Sequence, residues 1–170
     1  MSDRASERMM DGLAWSEFCD ALKSAGDVVL REGSPADPFD RAEGFRYLSR
    51  LTRVALESYV EFADPKAPVL RRPSHETVKI GADNPDNYYQ SAAVSGRYEY
   101  RISGKRGTVY YLGMGTYFGN YGSDEPMGQS GYIEAADMQI ESDGSFEVIL
   151  SCDEKKGVNW LPMKPETSSL

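Results

Sequence analysis

His75 is the only histidine in this 170-residue chain, so any proton transfer that needs a group titrating near neutral pH must run through it. His75-Glu76 followed by Lys79 sets polar groups in alternation beside a turn, where they can move a proton or hold an anion. The lack of a second histidine removes zinc sites built on His pairs. No G-x-S-x-G elbow exists to carry a Ser-His-Asp triad. What remains for catalysis is a hydrolase or phosphotransferase scheme that uses His75 with Glu76 or Asp86. The competing reading is a strand histidine bonded to backbone, and it is the favoured one.

Asp83-Asn84-Pro85-Asp86-Asn87 places four oxygen-bearing side chains within five residues, a partial shell for calcium. It lacks the spacing and the distal glutamate of an EF-hand loop, and Asx residues around a proline are what a tight turn needs for its own backbone. The turn is preferred, and no metal site or cofactor is expected. Gly113-Met-Gly115-Thr-Tyr117-Phe-Gly119-Asn120-Tyr121-Gly122 has neither dinucleotide nor P-loop spacing. Its glycines suit a bulge or a close backbone approach, and Tyr117, Asn120 and Tyr121 suit a pocket for a sugar or another ring compound. Arg97 and Arg101 can clamp an anion, though a ladder with Glu134 or Glu147 across a sheet is the favoured reading. The candidate ligand residues are therefore Lys79, Asn84, Arg97, Tyr117, Asn120 and Tyr121, with His75 beside them, and the expected ligand is small and anionic or carbohydrate-like.

The charge pattern agrees in part. The chain carries 19 Lys and Arg against 27 Asp and Glu, a net charge of -8, which argues against nucleic acid or an anionic membrane as a partner. By segment the net is -4 over residues 1–63, +3 over 64–106 and -7 over 107–170. The basic middle leaves room for a small anion, although pairing with the acidic strands that follow explains it as well. No apolar run has the length of a membrane span, no signal peptide is visible, and two cysteines make no disulfide framework. A cytoplasmic protein is expected.

These residues need elements to position them. Trp15, Phe18, Leu22, Ala25 and Val29 follow the spacing of one helical face, with Asp11 or Ser16 as a start and Gly33 as a stop. Asp37-Pro38 reads as an N-cap and first helical residue. The stripe Phe45, Leu48, Leu51, Ala55, Tyr59 and Phe62 continues that helix to about Asp64-Pro65, some 25 residues in all. After Pro68 the alternation changes to β. Tyr98, Tyr100 and Ile102 share one face, and Gly104–Gly107 reads as a hairpin leading into Thr108–Leu112. Asp143-Gly144 between Met138-Ile140 and Phe146-Val148-Leu150 is the strongest hairpin signal. The expected fold is α+β: a helical hairpin over residues 1–66, then an antiparallel, jelly-roll-like β-sandwich over 67–170.

The run from His75 to Gly122, with the motifs HETVK, DNPDN and YRISGKRG, and NWLPM at 159–163, resembles the bacterial domain of unknown function 1214 family. The likeness to its longer members with a helical lead-in extends from about Trp15 to Leu170. It implies a β-sandwich and supplies no chemistry. It also implies that strands continue past Thr167-Ser-Ser-Leu170, which reads as half a strand, so that the β domain lacks its last strands. Two function classes follow. One is a domain that binds or processes a small polar or anionic ligand. The other is a non-catalytic interaction module whose exposed strands dock on a second copy, on another partner or on a missing C-terminal portion.

Overall fold

The structure, a computed structural model, describes residues 3–120 and 126–170. The chain divides into two compact units, Met1–Ala55 and Leu56–Leu170.

The first unit is helical: α1 Asp3–Met10, α2 Leu13–Leu30 and α3 Pro38–Leu56. Gly12 turns the chain with φ +76°, and the Asp11 carboxylate accepts the Leu13 N–H at 2.9 Å, so α2 starts where Asp11 allows. Asp37 caps α3 by accepting the N–H groups of Phe39 and Asp40 at 2.9 and 3.1 Å. Those bonds, Asp40's first, hold the Asp37 carboxyl below its ordinary range, while the hydrogen bond to Asp37 pushes Asp40 up. Packing between α2 and α3 is seen near their connecting loop: a Cβ on Gly44 would lie 2.7 Å from Val29 Cγ1. No residue of α2 is buried, and Trp15 is 71 % exposed. No helix among the described residues is long and apolar enough to cross a membrane.

The second unit opens on a π-helical turn, Glu57–Glu61, which prolongs α3. Glu57 pairs with Arg71 at 2.6 Å, and the Arg71 guanidinium lies 4.0 Å above the Phe62 ring. These contacts hold the turn Glu57–Glu61 and Phe62 against Arg71 within this unit.

Among the described residues five strands follow: β1 Tyr100–Lys105, β2 Gly113–Phe118, β3 Gly128–Glu134, β4 Ser145–Ser151 and β5 Asn159–Pro162. They make a three-stranded sheet in the order β1-β4-β5 and a two-stranded sheet, β2-β3. The α+β class holds, but the pairing is mixed, because β4 and β5 run parallel. Residues 152–158 can bridge such a pair because the backward step is short, about 13 Å for four strand residues, and Gly157 turns with φ +75°.

Both expected hairpins are redrawn. The Gly104–Gly107 turn does not return β1 onto 108–112. Instead β1 pairs with β4, Tyr100 opposite Leu150 and Lys105 opposite Ser145. The Asp143-Gly144 turn forms as expected, with Asp143 accepting the Ser145 N–H at 3.0 Å, but Met138–Ile140 is not a strand. The Asn159 amide replaces the ladder there. It accepts the Gln139 N–H at 2.6 Å and donates to the carbonyls of Gln139 and Glu147, each at 2.8 Å.

The core lies among Val94, Ile133, Met138, Phe146, Val148, Leu150, Leu161 and Met163, with Tyr100, Ile102, Met114 and Leu170 packed on it. Alternation in β1 is as read: Tyr100 and Ile102 turn inward, and Arg101 turns outward to Glu147 at 3.6 Å. The last residues are not a loose half-strand. Ser169 bridges Ala93 on one side and Tyr117 on the other. Leu170 exchanges both backbone hydrogen bonds with Ala92, at 3.0 Å each.

Candidate functional site

The residues singled out for chemistry fall into separate places. His75, Glu76, Lys79, Asn84 and Asp86 share the loop 74–89, which spends its polar groups on itself. His75 and Val78 exchange backbone hydrogen bonds, and His75 Nδ1 accepts the Thr77 N–H at 3.4 Å, so the imidazole stabilises a tight turn. The Glu76 carboxyl is held low, first by its own backbone N–H and then by the Arg72 charge. Asp83 is 8 % exposed and takes Lys79 Nζ at 3.3 Å and the Ile80 N–H at 3.2 Å. Burial drives the Asp83 carboxyl up, but hydrogen bonds from Ser74, Ile80 and Lys79 together outweigh it and bring it below its ordinary value. Asn84 accepts the Asp86 N–H at 3.0 Å, and the Tyr89 hydroxyl accepts from Asn84 N–H and Asn87 Nδ2 at 3.3 and 3.1 Å. The DNPDN run is thus an Asx turn in which Asp83 Oδ1 and Asn84 Oδ1 meet backbone donors. Gly81 and Ala82 stand before it at φ +62° and +58°, the latter a strained value for a residue with a Cβ.

Arg97 sits in the turn before β1, its N–H on Ser95 Oγ at 3.3 Å. The neighbouring Gly96 lies so close to the C-terminal segment that a Cβ would be 2.2 Å from the Lys164 carbonyl. Tyr117 flanks the same segment from β2 through backbone bonds to Ser168 and Ser169. Asn120 is exposed just after β2, and Tyr121 lies outside the described residues. Much of the basic middle is paired with acidic groups: Arg101 with Glu147 and Lys105 with Asp143 across the sheet, Arg71 with Glu57, and Arg72 with Glu76 and Lys79 with Asp83 locally.

Two surfaces emerge that the sequence did not delimit. The first is the outer face of β2-β3. Gly113 and Gly115 have no side chains, and tyrosines lie over them: a Cβ on Gly113 would meet the hydroxyls of Tyr111 and Tyr132, and one on Gly115 the ring of Tyr117. Tyr111 and Tyr132 bond through their hydroxyls, and that bond, before burial, pushes the Tyr132 phenol up to about 12. A register shift between Thr116 and Tyr117 is the bulge expected of this glycine-rich strand.

The second is a groove of about 470 Å³ lined by Pro68, Leu70, Ala92, Val94, Leu150, Leu170 and residues 99–103 of the chain. Its lining is mainly apolar, and none of the predicted site residues contributes to it. Five consecutive residues at β1 line it rather than alternate ones, so it follows the edge of the strand and not one face. Leu70 and Pro68 carried no signal, since a Pro-bounded stretch reads as linker.

No protein-family model matches the chain, and no curated protein matches it. Among solved structures it is similar to a crystal structure of an uncharacterized protein from Burkholderia cenocepacia, at 52% identity and a TM-score of 0.88 over 96% of this chain. The chain spans 45% of that protein's length.

Proposed function

We propose that this chain is a non-catalytic interaction module that packs against further polypeptide of the kind its longer structural relative carries. The observation behind this reading is the unburied α2: none of its 18 residues is buried although its apolar face is continuous. On that face Trp15, Phe18 and Leu22 are exposed together, and Leu13, Val28 and Leu30 are exposed off it. Isolated exposed apolar side chains are ordinary, whereas a contiguous set marks a contact surface. The jelly-roll-like sandwich and the likeness to the domain of unknown function 1214 family belong to the same proposal. Support for the sandwich comes from the two sheets that share one core.

The test is association of the full chain with the Burkholderia protein's unmatched portion, supplied as overlapping peptides. Micromolar binding weakened at least tenfold by Leu22→Glu or Trp15→Glu supports the reading. Absence of binding by every peptide overturns it, and binding indifferent to both substitutions overturns α2 as the contact surface.

A second reading keeps a small ligand and centres it on the tyrosine face of β2-β3, which carries the expected Tyr117. Rings of Tyr111, Tyr117 and Tyr132 lying over glycines, with Gln129 Nε2 3.5 Å from the Tyr117 hydroxyl, offer stacking surfaces and polar groups to a saccharide ring. Quenching of tyrosine fluorescence by a panel of neutral monosaccharides, lost in Tyr117→Ala, would favour it; an unchanged spectrum across the panel would remove it.

A further inference from the structure

The groove beside β1 locates a contact within the Leu56–Leu170 unit, and it rests on the interaction-module reading above. We propose that it is an acceptor for one extended β-segment, which adds to the three-stranded sheet at β1 and inserts alternate apolar side chains between Tyr100 and Ile102 on one side and Leu70, Val94 and Leu170 on the other. The occupant is a strand from the additional polypeptide found in the longer relative.

Four observations converge. First, β1 is the end strand of the order β1-β4-β5, so every second residue directs its N–H and C=O away from β4 toward the groove side. Second, the groove is continuous with the core: Leu150 in its floor is fully buried, and Ala92 and Val94 nearly so. The apolar surface it leaves in water is that of Leu70, which is 43 % exposed, and of the half-buried Tyr100, Ile102 and Leu170, and an inserted side chain would cover it. Third, the polar rim is already compensated, because Glu99 pairs with Lys155 at 2.5 Å and Arg101 with Glu147 at 3.6 Å. A charged ligand finds no unmatched partner there, whereas a neutral backbone edge does. Fourth, a relative 52% identical over this region is more than twice as long, so polypeptide beyond the matched part exists to fill the place. Backbone pairing would give affinity, and apolar residues at every second position would give specificity.

The experiment uses the full 170-residue chain and 12-residue peptides tiling the unmatched part of the Burkholderia protein. Hydrogen exchange is read at each amide. The expected result is one peptide, or two overlapping ones, that slows exchange of amides within Tyr100–Lys105 at least tenfold and is alternating in pattern. Ile102→Glu should then weaken that peptide at least tenfold, and the unliganded variant's exchange in β4 reports whether it remains folded. Peptides that bind with protection elsewhere, α2 included, overturn the groove assignment while leaving the interaction-module reading standing. A concentration-dependent dimer that protects β1 without any peptide also overturns it, since a second copy is then the occupant. No binding at all overturns both.

Discussion

Asn159 shows how much one side chain carries. It is 7 % exposed and makes three part-buried hydrogen bonds that hold Gln139 and Glu147, so Asn159→Ala removes the side-chain partner of three backbone groups. The expected cost is about 2–3 kcal/mol, read as a loss in urea midpoint at constant slope. Ala82, at φ +58°, predicts the opposite sign: Ala82→Gly removes a left-handed Cβ penalty and should be neutral to stabilising by up to about 1 kcal/mol. Asp83 makes a pH prediction. Its folded carboxyl is held below the ordinary 3.8, so the stability it contributes is fully present above that value and lost as pH falls through the depressed one. The Ile80 amide, bonded to Asp83, should titrate by NMR with a midpoint below 3.8; a midpoint above it would contradict the arrangement.

Helices were more legible than strands, and the reason is range. Asp37-Pro38 contains its whole cap within four residues, and the α2 stripe is set by local spacing, so both were readable. The polar α1 carries no apolar stripe to announce it. For β1 the turn signal at Gly104–Gly107 was real, yet the strand's partner lies some 45 residues on, at Ser145–Ser151. Turn chemistry records where a chain bends and not which strand it meets. The site meets the same limit: the chemistry of His75, Lys79 and Asn84 is legible in their residue types, whereas the backbone amides and neighbouring charges that already engage them come together only in the fold. At this scale Gly131 is the sensitive position. A Cβ there would lie 2.3 Å from the Pro162 carbonyl, at the approach of β3 to β5. Gly131→Ala should cost about 3 kcal/mol or prevent folding, whereas Gly144→Ser meets no atom and is opposed only by its φ of +82°. Thermal denaturation of the two variants separates the cases.

Across the molecule, protection should follow burial. Amides of β4 and β5, over the fully buried Val148, Leu150 and Leu161, are expected to exchange slowest, and those of α2 fastest among the regular elements. Leu161→Ala should cost about 3 kcal/mol, and Trp15→Ala almost nothing in the free chain. A map with α2 as protected as β4 would refute this ordering. The insertion of Ser169 between Ala93 and Tyr117 bears on how the β unit assembles in time. Ser91 Oγ reaches the Leu170 carbonyl across 79 residues of sequence, and the backbone pairs beside it span similar distances. Closing loops of that length costs entropy before any contact repays it, so this seam should be a late event in folding and set its pace. Tethering the two sides of the seam covalently, so that the loop is already closed in the unfolded chain, is expected to accelerate refolding while leaving the unfolding rate nearly unchanged.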